Sequence, residues 1–580
     1  MKYSFIEAFE SRTDLKKYQS NALLLFSLQL RFLIEDIDTI ASVSLTDGGE
    51  DDKKCDLIYI ERDSGYAVIA QAYYSQDSSK PLAKVNKARD LNTAASWLLT
   101  RDPNELPKQL QPGALELQSA IRENKIRSLQ FWYSHNLPEN KKIKDELLTV
   151  QNTAKSALDK YFPGCDVFEV SAIEVGTQTL EEWYKNLTIP ILITDKLQVK
   201  VPGGYTISEG DWSAFVTAVP AEWLYELFKT YKSDLLFSAN VRGYLGSRDA
   251  EGNINNGIKK TATEDPERFW VYNNGLTGLV HNFNYNDKTQ ELTITGLSIV
   301  NGAQTTGAIG SITSKPSEKV QVHARFVACQ NRETVKNVIK FNNSQNRIEA
   351  ADFRSNDSIQ HRLVEEFKEI PNAKYLGGRR GGDEDMIKRV PSLLPSDTVA
   401  QALAAFHQDS VIAYNEKTKI WVSDNLYSRY FSERTSARHI VCSYSLLRAV
   451  EKAKSNLLFT KEITDSQRIQ LEFLRSRGAT YLLASAIASC IEVLAGKAIP
   501  DKFKVSFGKS ISPENAEAIW EPIVAVTTPF VNQLAPAAER GLKNADLAKE
   551  KISLFRSLVE ATKIANIEIF KKFSGYLVVD

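Results

Sequence analysis

Residues 292–312 read LTITGLSIVNGAQTTGAIGSI. The first nine alternate in the manner of a strand, Asn301-Gly302 breaks the run, and TTGAIGSI is a sequence that can begin a helix. The junction is therefore β–turn–α, with Asn301, Gln304, Thr305 and Thr306 at the helix start. It points to an α/β fold near the middle of the chain. Helix N-termini carry unpaired N–H groups that attract anions, and amide and hydroxyl side chains there add donors. A phosphate-binding turn is the functional reading; a plain turn at Asn301-Gly302 is the structural one. The stretch has neither the Lys of a Walker A loop nor a GxGxxG pattern, so P-loop ATPase chemistry is unsupported. It also has no acid and no His, which favours binding over bond-breaking.

The 580 residues suggest three or four domains at about 150 residues each. DLIYIER and YAVIAQAYYS, separated by Asp63-Ser64-Gly65, read as a β-hairpin that follows an apolar helix over residues 15–36. Helices at 80–98 and after Pro107–Pro112, the strand RSLQFWYSH, a helix at 141–161 and the strand DVFEVSAIEV complete an order α-β-β-α-α-β-α-β. This gives an α/β domain over 1–180 and a connector over 181–235. A strand-rich mixed α/β core over 236–435 and a helical C-terminal region over 436–580 follow, so the class is α/β (α+β), multidomain.

Lys+Arg and Asp+Glu both number 72, a balance that does not fit a generic polyanion-coating protein but leaves room for a locally basic groove. Cys55, Cys165, Cys329, Cys442 and Cys490 are far apart and form no zinc spacing; free thiols at this density fit a reducing cytoplasm. The first 18 residues hold no apolar signal core, and the apolar run Tyr481–Ala495 is broken by Ser485, Ser489 and Glu492. The expectation is a cytoplasmic protein without a membrane partner.

Asp56 opens the first hairpin strand, and the second ends Gln71-Ala72-Tyr73. An acid at one strand start, facing Q/E-x-K on its partner, is how PD-(D/E)XK nucleases hold Mg²⁺. The segment resembles that restriction-endonuclease-like family, in its Gln-x-Lys branch. The resemblance implies Asp56 and Gln71 as metal ligands and a lysine that assists the attack on phosphate. Tyr73 stands where that lysine belongs, and a phenol is neutral at pH 7. Lys80, Lys84 and Lys87 on the next helix are candidates for the missing cation. Two readings stay open: a Mg²⁺-dependent nuclease with an altered site, and an inactive fold that docks nucleic acid.

Four polar stretches mark the centre: Asn240-Val-Arg242-Gly-Tyr-Leu-Gly, Phe269–Gly278 with Asn273-Asn274-Gly275, Ser298–Thr306, and Phe341–Asp357 with Asn342, Asn343 and Gln345. Singly each has a structural reading: Asn274-Gly275 signals a hairpin turn, and Ser355 or Asp357 caps the helix that follows. In this order and spacing, NVRGYLG, FWVYNNGLTG, SIVNGAQTT and FNNSQNRIEAADFRSND resemble the AIPR family of abortive-infection phage-resistance proteins. A fainter similarity runs to the DGQHR and ParB-like group, whose acid is Asn301 here and whose His-Arg is Thr305-Thr306. The family resemblance implies phage defence through nucleic acid, DNA or RNA, with a phage-encoded trigger and homo-oligomerisation as further expectations. Arg379 and Arg380, flanked by glycines, add a phosphate-reaching loop; pairing with Asp383 and Asp385 is its structural alternative. The six histidines have no sequence-local partners and are read as structural or surface residues.

Overall fold

In the computed structural model, the hairpin expected at the start of the chain pairs β1 (Leu57–Glu61) with β2 (Tyr66–Tyr73), Leu57 lying across from Ala70. β3 (Ser128–His135) and β4 (Glu169–Val175) extend it in parallel, in the order β1-β2-β3-β4. Parallel neighbours need long crossovers. Helices Val85–Thr100, Gln111–Arg122 and Lys141–Tyr161 supply them and bury one face around Ile69, Leu91 and Phe131. The other face is packed by Ala22–Phe32 and Thr177–Thr188 around Leu24, Val68 and Trp132. Burial on both sides explains why YAVIAQAY and SLQFWYSH are nearly continuous apolar runs. The single helix expected over 15–36 is instead a 3₁₀ segment, Thr13–Asn21, kinked at Gln19, followed by the α-helix.

The structure describes residues 3–579 except 33, 47–52, 64, 78, 168, 189–192, 232–235, 238–249, 313, 330, 332–333, 336, 340–341, 343–353, 355–356, 378–391, 461 and 509–510.

A second sheet is built from β5 (Ile193–Lys200), β6 (Gly204–Glu209), β7 (Trp212–Pro220), β8 (Leu276–Val280), β9 (Asn282–Asn286), β10 (Glu291–Asn301) and β11 (Gln321–Cys329). Its order is β5-β10-β8-β11-β7-β6, with β9 on β10. The segment read as a connector thus supplies β5, β6 and β7. β7 pairs with β11 over nine positions, a long-range ladder that no local pattern discloses. Helices Ala221–Thr230 and Ala303–Gly310 pack on one face around Leu224, Ile309 and Phe326.

The rest is mainly helical. Ser396–Phe406, Ala437–Phe459, Ala479–Ser489, Pro513–Thr527 and Ala545–Ala561 share one core with Leu403, Leu447, Ile487 and Trp520. A two-stranded ribbon, β12 (Val505–Phe507) with β13 (Leu577–Val579), closes it. Among the described residues no helix is long and apolar enough to cross a membrane. All five cysteines are free.

The N-terminal unit is joined to the helical one by buried charge. Asp36, which caps helix Ile37–Ser44, is paired with Arg448 and accepts from Thr398 Oγ1 at 2.6 Å. Arg448 also donates to Thr39 Oγ1 at 2.9 Å and to Glu451 Oε2 at 2.6 Å. Burial alone would raise the Asp36 carboxyl, but Arg448 and Thr398 outweigh it and hold it below its ordinary value. Glu451 is pushed up, because burial outweighs what Arg448 returns. A second seam pairs Lys417 with Glu61 at 2.8 Å and sends Arg477 Nη2 to the Ile58 carbonyl at 2.9 Å.

Inside the helical core, His407 Nε2 and His439 Nε2 lie 3.0 Å apart. His439 Nδ1 is 2.9 Å from the Val505 carbonyl, which only accepts, so Nδ1 carries the proton. His439 Nε2 is then the acceptor and His407 Nε2 the donor. Burial pushes His439 down to about 4 and His407 well below its ordinary value. Both are neutral in the fold, whereas the unfolded chain binds these protons below about pH 6.5. Their stabilisation is complete above that pH and drains as pH falls toward about 4. In thermal melts across this window the melting temperature should fall. It should fall less in His407→Gln, which keeps an N–H for His439 but cannot titrate; equal slopes would reject the assignment.

Candidate functional site

The second sheet brings three of the four central motifs together. Asn301 of β10 pairs with Thr277 of β8, Thr277 with Arg325 of β11, and Arg325 with Val216 of β7. Two glycines allow the close approach. Gly302 has φ +92°, and a Cβ there would lie 2.6 Å from the Gly275 carbonyl oxygen. Gly275 has φ +74°, and its Cβ would lie 2.3 Å from the His323 carbonyl oxygen. Asn274-Gly275 is therefore not a hairpin turn. The preceding Phe269–Tyr272 is a helical turn, and Gly275 serves to lay β8 against β11.

Arg325 is exposed, and its Nη2 donates to Thr277 Oγ1 at 3.2 Å and to Asn342 Oδ1 at 2.9 Å. Asn342 Nδ2 donates to the Val338 carbonyl at 2.8 Å, which fixes the amide with its oxygen toward Arg325. Among the described residues the guanidinium meets no carboxylate, and Nε and Nη1 keep their donors. A full positive charge held by two neutral acceptors at the surface has the chemistry to receive an anion, and its fork matches the geometry of phosphate. Arg325 was not among the residues singled out from the sequence. The available signal was one arginine in the alternating strand QVHARFVAC, whose Val322, Ala324 and Phe326 are buried on the opposite face.

The strand-to-helix junction forms as expected: β10 ends at Asn301 and the helix opens at Ala303. Its donors, however, turn inward. Thr305 and Thr306 are buried, and both the N–H and the Oγ1 of Thr306 donate to the Gly302 carbonyl. Asn301 and Gln304 are half-buried. Gly275 and Leu276 pack against Gly302 at the first turn, and Arg325, on the second strand over from Asn301, is exposed to solvent. Asn273 Nδ2 donates to the Phe269 carbonyl at 3.0 Å and closes the helical turn, while Asn274 is exposed. Asp357 caps its helix through Ile359 N at 2.9 Å. Asn240, Arg242, Asn343, Gln345, Arg379 and Arg380 lie outside the described residues.

In the first sheet, the pairing of Leu57 with Ala70 sets Asp56 across from Gln71. Asp56 Oδ2 accepts from the Ala72 N–H at 2.7 Å. Gln71 is buried, and its Oε1 has no partner among the described residues. Lys84 and Lys87 place their ammonium groups 5.5 and 5.9 Å from the Tyr73 ring centre, and Lys87 Nζ donates to the Ala72 carbonyl at 3.1 Å. Lys80 is exposed beside Asp77. Tyr133 and Glu174 continue the Gln71 row, and His135 bonds Glu174 at 3.2 Å one step along. Burial raises the Tyr133 phenol, with Tyr73 and Glu174 adding to the effect, so it stays protonated. Mg²⁺ takes one or two carboxylates and several waters. The Asp56 carboxylate and the orphaned Gln71 oxygen fit such a set, although no cluster of three His, Cys, Asp or Glu occurs among the described residues.

A family model described as AIPR protein matches residues 237–533, just over half of the chain. It spans β8 to β11 and most of the helical core, and leaves out β5, β6 and β7, which complete the same sheet. No curated protein and no solved structure matches the chain.

Gly302→Ala would set a methyl against backbone in a left-handed conformation, and should cost about 1–3 kcal/mol in urea unfolding. Gly257→Ala, at a helical site where a Cβ meets nothing within 4 Å, is the control and should be neutral or stabilising. Equal effects at both positions would remove the steric argument.

Proposed function

Because the chain belongs to the AIPR family, we propose that it is an abortive-infection, anti-phage protein that binds nucleic acid at the Arg325 site. The observation that carries this reading is the exposed guanidinium held, among the described residues, by Thr277 and Asn342 and by no carboxylate. Phosphate supplies the missing counter-charge, and the neighbouring amides supply hydrogen bonds. The groups that hold Arg325 are a hydroxyl and an amide, which bind phosphate without being general bases near neutral pH, so the site is read as one that binds. A cytoplasmic location is part of the reading, supported by five free cysteines. So is a phage-encoded trigger, which follows from the family's role.

Arg325→Ala should weaken oligonucleotide binding roughly 10- to 100-fold, the worth of a charged hydrogen-bonding group. It should also flatten the plot of log affinity against log salt by about 0.7–0.9 for each phosphate that the variant no longer neutralises. Unchanged affinity and slope would reject the site.

The N-terminal unit has two roles within this proposal. The orphaned Gln71 oxygen, the Asp56 carboxylate and the lysines over Tyr73 support phosphodiester cleavage. Asp56 and Gln71 would hold Mg²⁺, which when bound polarises phosphate and acidifies water. Lys84 or Lys87 would offset charge on the phosphate from a position that Tyr73 fixes through its ring. The presence of Tyr73 in place of lysine favours the other role, a platform without cleavage in a non-catalytic sensor whose central domain recognises a nucleotide or a phage component. Plasmid, linear DNA and RNA incubated with Mg²⁺ or Mn²⁺ separate the two. Cutting by wild type that is lost in Asp56→Ala, with Arg325-dependent binding intact, assigns the nuclease role. No metal-dependent cutting by wild type assigns the sensor role.

A further inference from the structure

We infer that the occupant of the Arg325 site is single-stranded nucleic acid, laid across the open half of the second sheet with bases stacked on Tyr205 and Trp270. This rests on the binding reading above and specifies the form of its ligand.

Register carries the first part. Tyr205 of β6 pairs with Val216 of β7, and Val216 with Arg325, so all three project from one face. Two strand spacings put Tyr205 roughly 10 Å from Arg325. His323 lies two residues before Arg325 on β11 and shares this face, and the Trp270 ring sits edge-on to it at 6.1 Å. Tyr205 and Trp270 are 59% and 48% exposed, values that only an uncovered surface allows for rings of this size. The other half of the face is closed: Val335, Val338 and Ile339 pack on Ala214, Leu279 and Val327. Asn342, a few residues further along the same segment, bonds Arg325. Among the described residues, the open half thus holds the Arg325 guanidinium with two exposed aromatic rings near it, one across the strands and one along β11.

The chemistry of the occupant follows. It must bring an anion to Arg325 and flat apolar faces to the two rings near it. A duplex offers phosphates but hides its base faces, whereas a single strand offers both. A protein partner would cover the rings, yet would need a carboxylate placed between them.

The test uses the full chain with fluorescein-labelled single-stranded DNA and RNA of one sequence, and the matching duplexes, read by anisotropy. Tyr205→Ala and Trp270→Ala should each weaken single-strand binding roughly 5- to 150-fold, the worth of one stacked base. Trp270→Phe should stay close to wild type, and thermal melts should match throughout. Tyr205 lies on the exposed edge strand β6, so its variant keeps the test informative if Trp270→Ala disturbs the fold. Single-strand affinity unchanged in both alanine variants, or tighter binding of duplex, overturns the inference. If binding still depends on Arg325 in that case, the nucleic-acid reading survives without stacking. A wild type that binds no nucleic acid overturns both.

Discussion

Arg448 is the group on which the arrangement of the molecule depends. It lies between two carboxylates that the chain could not bury without it, Asp36 from the N-terminal unit and Glu451 from its own helix. Ion pairs taken out of water are poor sources of net stability, but a buried set that loses one member leaves charge uncompensated. The seam is thus selective more than strong: it accepts one docking geometry and penalises the rest. Thr39, Thr398 and Tyr444 complete the set by hydrogen bonding to the same groups. The N-terminal sheet and the helical core are therefore held in fixed relation, through residues that no local sequence pattern pairs.

The first sheet was legible because its signals are local. Two β-rich runs separated by Asp63-Ser64-Gly65, then helices of crossover length, leave little choice of topology. The second sheet was legible only in part. β8 and β10 announced themselves by composition, but β5, β6 and β7 lie in a stretch read as a connector that runs through strands, not as part of the central core. β5 and β7 pair with β10 and β11, about a hundred residues further on, and β6, although it forms a hairpin with β7, is exposed at every position, so its burial pattern carries no signal. The small ribbon of β12 and β13 escaped for the same reason.

The candidate site shows a different limit. The NGAQTT turn was correctly read as a strand passing into a helix, and the polar residues in it suggested an anion site. In the fold Thr306 bonds back to Gly302 within the turn and Thr305 is buried, and a strand of the same sheet supplies the charge. Sequence reasoning ranks residues by their company along the chain, and Arg325 has ordinary company. Its significance comes from Thr277 and Asn342, which reach it from 48 residues upstream and 17 downstream. In the N-terminal cluster the expected neighbours do meet, since Asp56 and Gln71 lie opposite each other across a hairpin, where sequence distance and spatial distance agree.

The Asp36–Arg448 seam also has a consequence in time. Its two halves are 412 residues apart in the chain. At about 5–20 residues per second, a ribosome that has made Asp36 needs roughly 20–80 s more to make its partner. During that interval the N-terminal sheet can fold, but the surface that will receive the helical core stays open to solvent and to other proteins. Any activity of the N-terminal unit that requires the docked arrangement is therefore withheld from incomplete chains. Translation itself sets the delay before such a protein is armed.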